Sequence, residues 1–164
     1  MIRGKVYKLG DNIDTDVIIP ARYLNIRDLN ELSKYCFCDL DKDFSKKIKK
    51  GDIIVAGNNF GCGSSREQAP LVIKESGVSC VIAKSFARIF YRNSINIGLP
   101  IIESEEIPDD VEEGDILQID FEKGIVKNKR TNKKYKIKQF PEFIQNILSS
   151  GGLMNYLKSQ LSRI

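Results

Sequence analysis

Residues 57–70 read GNNFGCGSSREQAP, and the fold turns on what stands at either end of them. Residues 52–56 (DIIVA) are a short apolar run of strand length, while residues 67–75 (EQAPLVIKE) have helical character and stop before Gly77. The stretch is therefore a loop between a buried strand and a helix, the place where open α/β sheets put their ligand sites. Ser64 precedes Glu67 by three residues and Ser65 precedes Gln68 by the same spacing. Both pairs match a capping box, so the helix is expected to begin at one of the serines with its unpaired N–H groups facing a ligand. Gly57, Gly61 and Gly63 allow positive φ or a close backbone approach. Arg66 adds a planar fork suited to carboxylates. A P-loop is excluded because Gly63 is followed by Ser64-Ser65 and not by Lys-Ser/Thr. A dinucleotide fingerprint is excluded because Arg66 stands where it needs a third glycine. What is left is an anion-binding strand–loop–helix, with a tight turn into a well-capped helix as the plainer alternative.

Outward from this loop the chain alternates. Residues 4–9 read as a strand ending in the turn-like Gly10-Asp11-Asn12. Asp28 is a candidate N-cap for a helix over 28–35, and residues 36–50 read as connecting structure with one short helix. Residues 80–83 (CVIA) are a second buried strand, 86–93 (FARIFYRN) a helix, and Ile101-Ile102 a third strand. Strand–helix–strand–helix–strand predicts parallel pairing with right-handed crossovers. Beyond Pro108 the style changes to alternating strands over 115–121, 124–127 and 134–137, the pattern of an antiparallel meander. Helices over 141–148 and 153–161, split by Gly151-Gly152, close the chain. The expected fold is α/β: one domain over residues 1–164, a central mostly parallel sheet with flanking helices, then a C-terminal antiparallel strand segment and terminal helices.

Composition narrows the chemistry. The longest apolar runs are four or five residues, far short of the ~20 that span a bilayer. The opening MIRGKVYKLG has no apolar core of a secretory signal, so no membrane association and a cytoplasmic location are expected. A net charge of +4 spread over scattered lysines lacks the dense basic stripe of a nucleic-acid binder. Four cysteines (Cys36, Cys38, Cys62, Cys80) are read as thiols, and with no histidine and only Cys-Phe-Cys spacing they make a poor metal set, so no bound metal is expected. The missing histidine matters most. If the chain takes part in catalysis, its base is another residue or a partner completes the site.

The residues also carry a resemblance. Gly57-Asn58-Asn59-Phe60 followed by Gly61-Cys62-Gly63-Ser64-Ser65-Arg66-Glu67 resembles the signature of the swivelling domain of the aconitase superfamily. Asp14-Thr15-Asp16-Val17-Ile18-Ile19-Pro20 with Tyr23-Leu24 resembles that family's N-terminal segment. Residues 83–93 (AKSFARIFYRN) with Asn96-Ile97-Gly98-Leu99 resemble its third block. As a separate chain this domain is the small subunit of isopropylmalate isomerases and homoaconitases. The resemblance implies a hydro-lyase half-site that is inactive without a large subunit carrying a [4Fe-4S] cluster and the histidines. The implied substrate is a malate-type diacid whose hydroxyl moves between adjacent carbons. By position it makes Ser64 the base and Arg66 a catalytic, carboxylate-binding residue, with Ser65 binding a neighbouring oxygen. Asp16, Gly61, Gly63 and Glu67 are support.

In that family the segment after Tyr-Leu touches the variable substituent of the substrate, which here places Asn25, Ile26 and Arg27 in the substrate-binding set. A neutral residue followed by an aliphatic one favours isopropyl over an extra carboxylate. The resemblance thus implies isopropylmalate in leucine biosynthesis, with homoaconitate-type or citramalate/dimethylmalate-type diacids, or a non-catalytic anion-binding module, as alternatives. Arg88 and Arg92 read equally as lining the site, touching the partner or facing solvent beside a buried Phe86–Ile89–Phe90 face. Phe60 reads as an anchor for the loop.

Overall fold

In the computed structural model, which describes residues 1–163, β1 (Ile2–Lys8) is the strand on which both halves of the molecule are built. The chain then turns at residues 9–13 into α1 (Thr15–Ile18), where the Asp14 carboxylate accepts the Val17 N–H at 2.8 Å. Pro20 follows and the chain continues as a 3₁₀ turn, Ala21–Tyr23. In α2 (Leu29–Ser33) Asp28 caps the N-terminus, as its position predicts, by accepting from Asn30 and Glu31. The helix is shorter than expected, giving way to turns before α3 (Phe44–Lys47).

Two more parallel crossovers follow that from β1 to β2 (Ile53–Ala56). They comprise β2, α4 (Gln68–Glu75), β3 (Cys80–Ala83), α5 (Arg88–Asn96) and β4 (Ile101–Glu103). All residues of β2 and β3 are buried, which is why these runs read as apolar without alternation. A short α6 (Ile107–Asp110) carries Pro108 in its first turn, a position that needs no amide hydrogen. The meander is β5 (Ile116–Asp120), β6 (Ile125–Asn128) and β7 (Lys134–Lys136), and α7 (Glu142–Ser149) and α8 (Leu153–Leu161) end it.

The seven strands form one sheet in the order β4-β3-β2-β1-β5-β6-β7. From β1 to β4 the pairs are parallel; from β1 through β7 on the other side they are antiparallel. Strand alternation sorts the interior into two cores. Ile54, Ala56, Val81, Ala83 and Ile101 face α1, α2, α4 and α5. Ile53, Val55, Cys80, Ile82 and Ile102 face the inner side of the meander through Leu117, Ile119, Val126 and Tyr135. The sheet curls round this second core. At its edge Asp115, 5% exposed, accepts from Arg130 Nε at 2.6 Å, Asn128 Nδ2 at 2.8 Å and the Glu112 N–H at 2.9 Å. No helix among the described residues is long and apolar enough to cross a membrane.

Two helix starts differ from the sequence expectation. Residues 86 and 87 are not helical, because Phe60 donates to the Ser85 carbonyl and the Ala87 N–H returns to the Phe60 carbonyl, holding 85–87 extended beside the loop. The second displaced start is that of α4.

Candidate active site

Loop 57–67 lies between two segments and is bonded to both. On one side the Asp11 carboxylate accepts the Asn58 N–H at 2.6 Å, and Asn12 N–H reaches the Asn58 carbonyl at 2.8 Å. Gly61 donates to Ile13 at 2.7 Å, and Thr15 N–H donates to Cys62 at 2.9 Å. The Thr15 hydroxyl, on a residue only 4% exposed, donates to the Ser64 carbonyl at 2.6 Å. On the other side Asn59 N–H meets the Ser85 hydroxyl at 2.8 Å. Phe60 is fully buried, edge-on to Phe86 and Phe90, and anchors the loop.

This lacing explains why α4 begins at Gln68 and not at a serine. Gly63 turns the chain at φ +88°, and Thr15 takes the Ser64 carbonyl. Glu67 occupies the cap position without a side-chain bond, so neither capping box forms. Ser64, Ser65 and Glu67 are exposed instead. No acceptor among the described residues takes the backbone N–H groups of residues 63–66. The unpaired N–H groups thus lie on the loop, ahead of the helix, a run of the kind that can cradle an anion.

Arg66 is mostly buried, 17% exposed along its side chain, and is aimed by its partners. Its Nη1 donates to the Ile19 carbonyl at 2.8 Å and to Asp16 Oδ1 at 3.0 Å. The remainder of the guanidinium makes no bond to the described residues. Asp16 also accepts the Ala21 N–H at 3.0 Å. The Arg66 hydrogen bond, seconded by that amide, holds the Asp16 carboxyl below its ordinary range, so it stays ionised and keeps the arginine oriented.

A groove of 220 Å³ runs past this turn, lined by Thr15, Ser65, Arg66, Arg88, Ile89 and Asn93 among others. Arg88 thus belongs to the groove and also lines the neighbouring 410 Å³ cavity that includes Glu103, whereas Arg92 lines neither. Ile89 is not buried, contrary to the helical pattern of 86–93; it is 52% exposed because α5 buries the face of Phe90, Ser94 and Ile95, while Phe86 lies outside the helix. Thr15 and Asn93, in no candidate set from the sequence, also line the groove; the bridge from Asp14 to Cys62, which has no local signal, brings Thr15 under Ser64.

Asn25, Ile26 and Arg27 lie on the loop after the 3₁₀ turn. Ile26 is half-buried against the first core, while Asn25 and Arg27 are exposed, and none of the three lines the groove. Their mount is aromatic: Tyr23 stacks on Tyr35 at 4.0 Å, with the Arg22 guanidinium over its other side at 4.7 Å. The segment before this loop is bonded to the site through Asp16, shared between Arg66 and Ala21, and through the Ile19 carbonyl on Arg66.

All four cysteines are free. Burial pushes the Cys36 thiol up to about 12 and Cys80 higher still; Cys62, in the loop, is also raised, by desolvation and by nearby Asp14. None is an activated thiolate. Among the described residues no group of three His, Cys, Asp or Glu side chains is placed to hold a metal ion.

A family model, the aconitase C-terminal domain, matches residues 2–107. The chain belongs to that family. The matched span contains β1 to β4 and the whole groove, and ends in α6. Relatives outside the family model's limits match nearly end to end. The 3-isopropylmalate dehydratase small subunit of Caldicellulosiruptor saccharolyticus is 63% identical over 163 residues, 99% of this chain and 94% of its own. That of Clostridioides difficile is 64% identical over 156 residues, covering 95% and 96%. The crystal structure of a 3-isopropylmalate dehydratase from Methanocaldococcus jannaschii superposes with a TM-score of 0.91 at 50% identity, over 97% of this chain and 94% of that one. This aconitase C-terminal domain therefore keeps the architecture of a solved relative through the meander and terminal helices as well.

Proposed function

We propose that this chain is the small subunit of a 3-isopropylmalate dehydratase, which interconverts 2-isopropylmalate and 3-isopropylmalate by dehydration and rehydration in leucine biosynthesis. Its near-complete similarity to relatives of that name supports the assignment. The observation that carries the chemistry is the turn at residues 63–66: exposed serines, unpaired N–H groups and one oriented arginine beside a single groove.

Ser64 is the base that removes a proton from the substrate carbon. A serine hydroxyl is a weak acid, so its alkoxide needs donors already aimed at it; the loop N–H groups and the Arg66 charge fill that role. Arg66 binds a substrate carboxylate with the part of its fork not committed to Asp16 and Ile19, and Ser65 holds a neighbouring oxygen. Gly61 and Gly63 shape the turn. The Glu67 side chain, without a bonded partner among the described residues, is exposed beside this turn. The chain holds no histidine and no cysteine set for a cluster, so these belong to a large-subunit partner. A [4Fe-4S] cluster on that partner would supply the Lewis acid that assists departure of the hydroxyl.

The test is anaerobic mixing with the large subunit and assay of isopropylmaleate hydration. Ser64→Ala lowers kcat by about 100-fold or more while leaving KM within a few-fold, and the small chain alone gives no turnover. Full activity in Ser64→Ala removes the base assignment. A wild-type mixture that binds malate-type diacids without turning them over favours an anion-binding module.

A further inference from the structure

From the exposed arc of α5 we infer that Arg88, Ile89 and Arg92 form the docking face for the large subunit, and that the surface they meet is acidic around an apolar socket. This rests on the function proposed above and adds the partner's chemistry. On a helix at about 100° per residue, Arg88, Arg92, Asn96, Ile89 and Asn93 fall in one contiguous arc. Phe90, Ser94 and Ile95 occupy the opposite side and are buried, so the helix has no freedom to turn Ile89 inward. A single exposed isoleucine needs no explanation on an ordinary surface. This one, however, lines the same groove as Ser65 and Arg66, where half of an active site is missing.

Charge points to the same occupant. Neither arginine has a carboxylate within ion-pair distance among the described residues; Arg3 and Arg27 are likewise without one, but neither flanks an apolar residue of the groove. Glu103 shares a cavity with Arg88 without pairing to it. Two unpaired arginines flanking an aliphatic side chain make the composition of an interface centre, where arginine is enriched and lysine and glutamate are depleted. Closing this wall with the second subunit also expels water from the groove, which the weakly acidic Ser64 requires. A second apolar display, Met154, Leu157 and Leu161 on α8 with Phe143 on α7, lies outside the groove and is not assigned to this contact.

The experiment measures the Kd of the purified small chain for its large subunit, anaerobically, by sedimentation velocity. Ile89→Asp raises Kd by about 100-fold or more, and Arg88→Glu with Arg92→Glu by at least about 10-fold. Met154→Asp leaves it unchanged. The wild-type association rate falls as salt is raised, and the double-glutamate variant loses that dependence or reverses it. Because both altered sites are exposed, retained circular dichroism and melting temperature separate lost docking from lost folding. A wild-type complex that turns over while both variants dock with wild-type affinity overturns the docking face and leaves the proposed function intact. A wild-type pair that fails to associate overturns both.

Discussion

A β-carbon at Gly61 would lie 2.2 Å from the Phe90 ring, at a φ of +82° that L side chains rarely adopt. The ring cannot retreat, because it is itself wedged between Phe60 and the core. Gly61→Ala is therefore expected to lose roughly 2–4 kcal/mol from combined overpacking and backbone strain, read as a lower urea midpoint at unchanged slope. Residue types announced much of this. Glycines at 57, 61 and 63 and serines beside an arginine mark a tight, turn-rich loop in the sequence, and Phe60 reads there as its anchor, which its full burial matches. What the residues could not reveal was which partner each group would choose. The spacing Ser64–Glu67 is that of a capping box, yet Thr15 takes the Ser64 carbonyl from 49 residues away and the box never closes. Long-range bonds of this kind have no local pattern.

At the scale of elements, strands were more legible than helix starts. Buried runs such as 53–56 and 80–83 end where their apolar residues end. Helix starts depend on competition for backbone groups, and both α4 and α5 begin late because neighbouring extended segments claim residues that could have been their first turns. The meander has its own fixed point in Asp115. The Arg130 guanidinium, helped by the Glu112 amide and Asn128, holds this buried carboxyl down at about 2, from an ordinary 3.8. A depressed carboxylate contributes stability that is fully present above its unfolded value and is lost as pH falls through the folded one. Asp115→Asn is thus expected to cost about 2 kcal/mol at pH 7. The deficit shrinks between pH 3.8 and about 2 and is gone below it. Urea unfolding of both proteins at pH 7 and at pH 2 checks this, and an equal deficit at the two pH values contradicts it.

For the whole molecule, the sequence order of elements indicated a parallel part and an antiparallel part but not that they share one sheet. That join depends on β1 accepting β2 on one edge and β5 on the other, pairings between segments far apart in the chain. Substrate choice also belongs to this scale: the loop bearing Asn25, Ile26 and Arg27 stands outside the groove, so its proposed contact with the substrate's substituent calls for the assembled complex. An aliphatic side chain and a neutral one there favour isopropyl over a carboxylate. The reconstituted enzyme is expected to hydrate isopropylmaleate at least about 10-fold faster than homoaconitate in kcat/KM; comparable values on the two would remove Asn25 and Ile26 from the specificity set.

The central position of β1 has a consequence in time. It leaves the ribosome ahead of both its partners, yet Val6 pairs with Ile53 and Ile2 with Ile119. During synthesis its first edge waits for β2, and its second stays open until the chain has passed β5. Such distant pairings close slowly, and an unpaired edge left waiting is a template for the wrong neighbour. The lysines and arginine along β1, Arg3, Lys5 and Lys8, keep that edge charged and soluble through the interval.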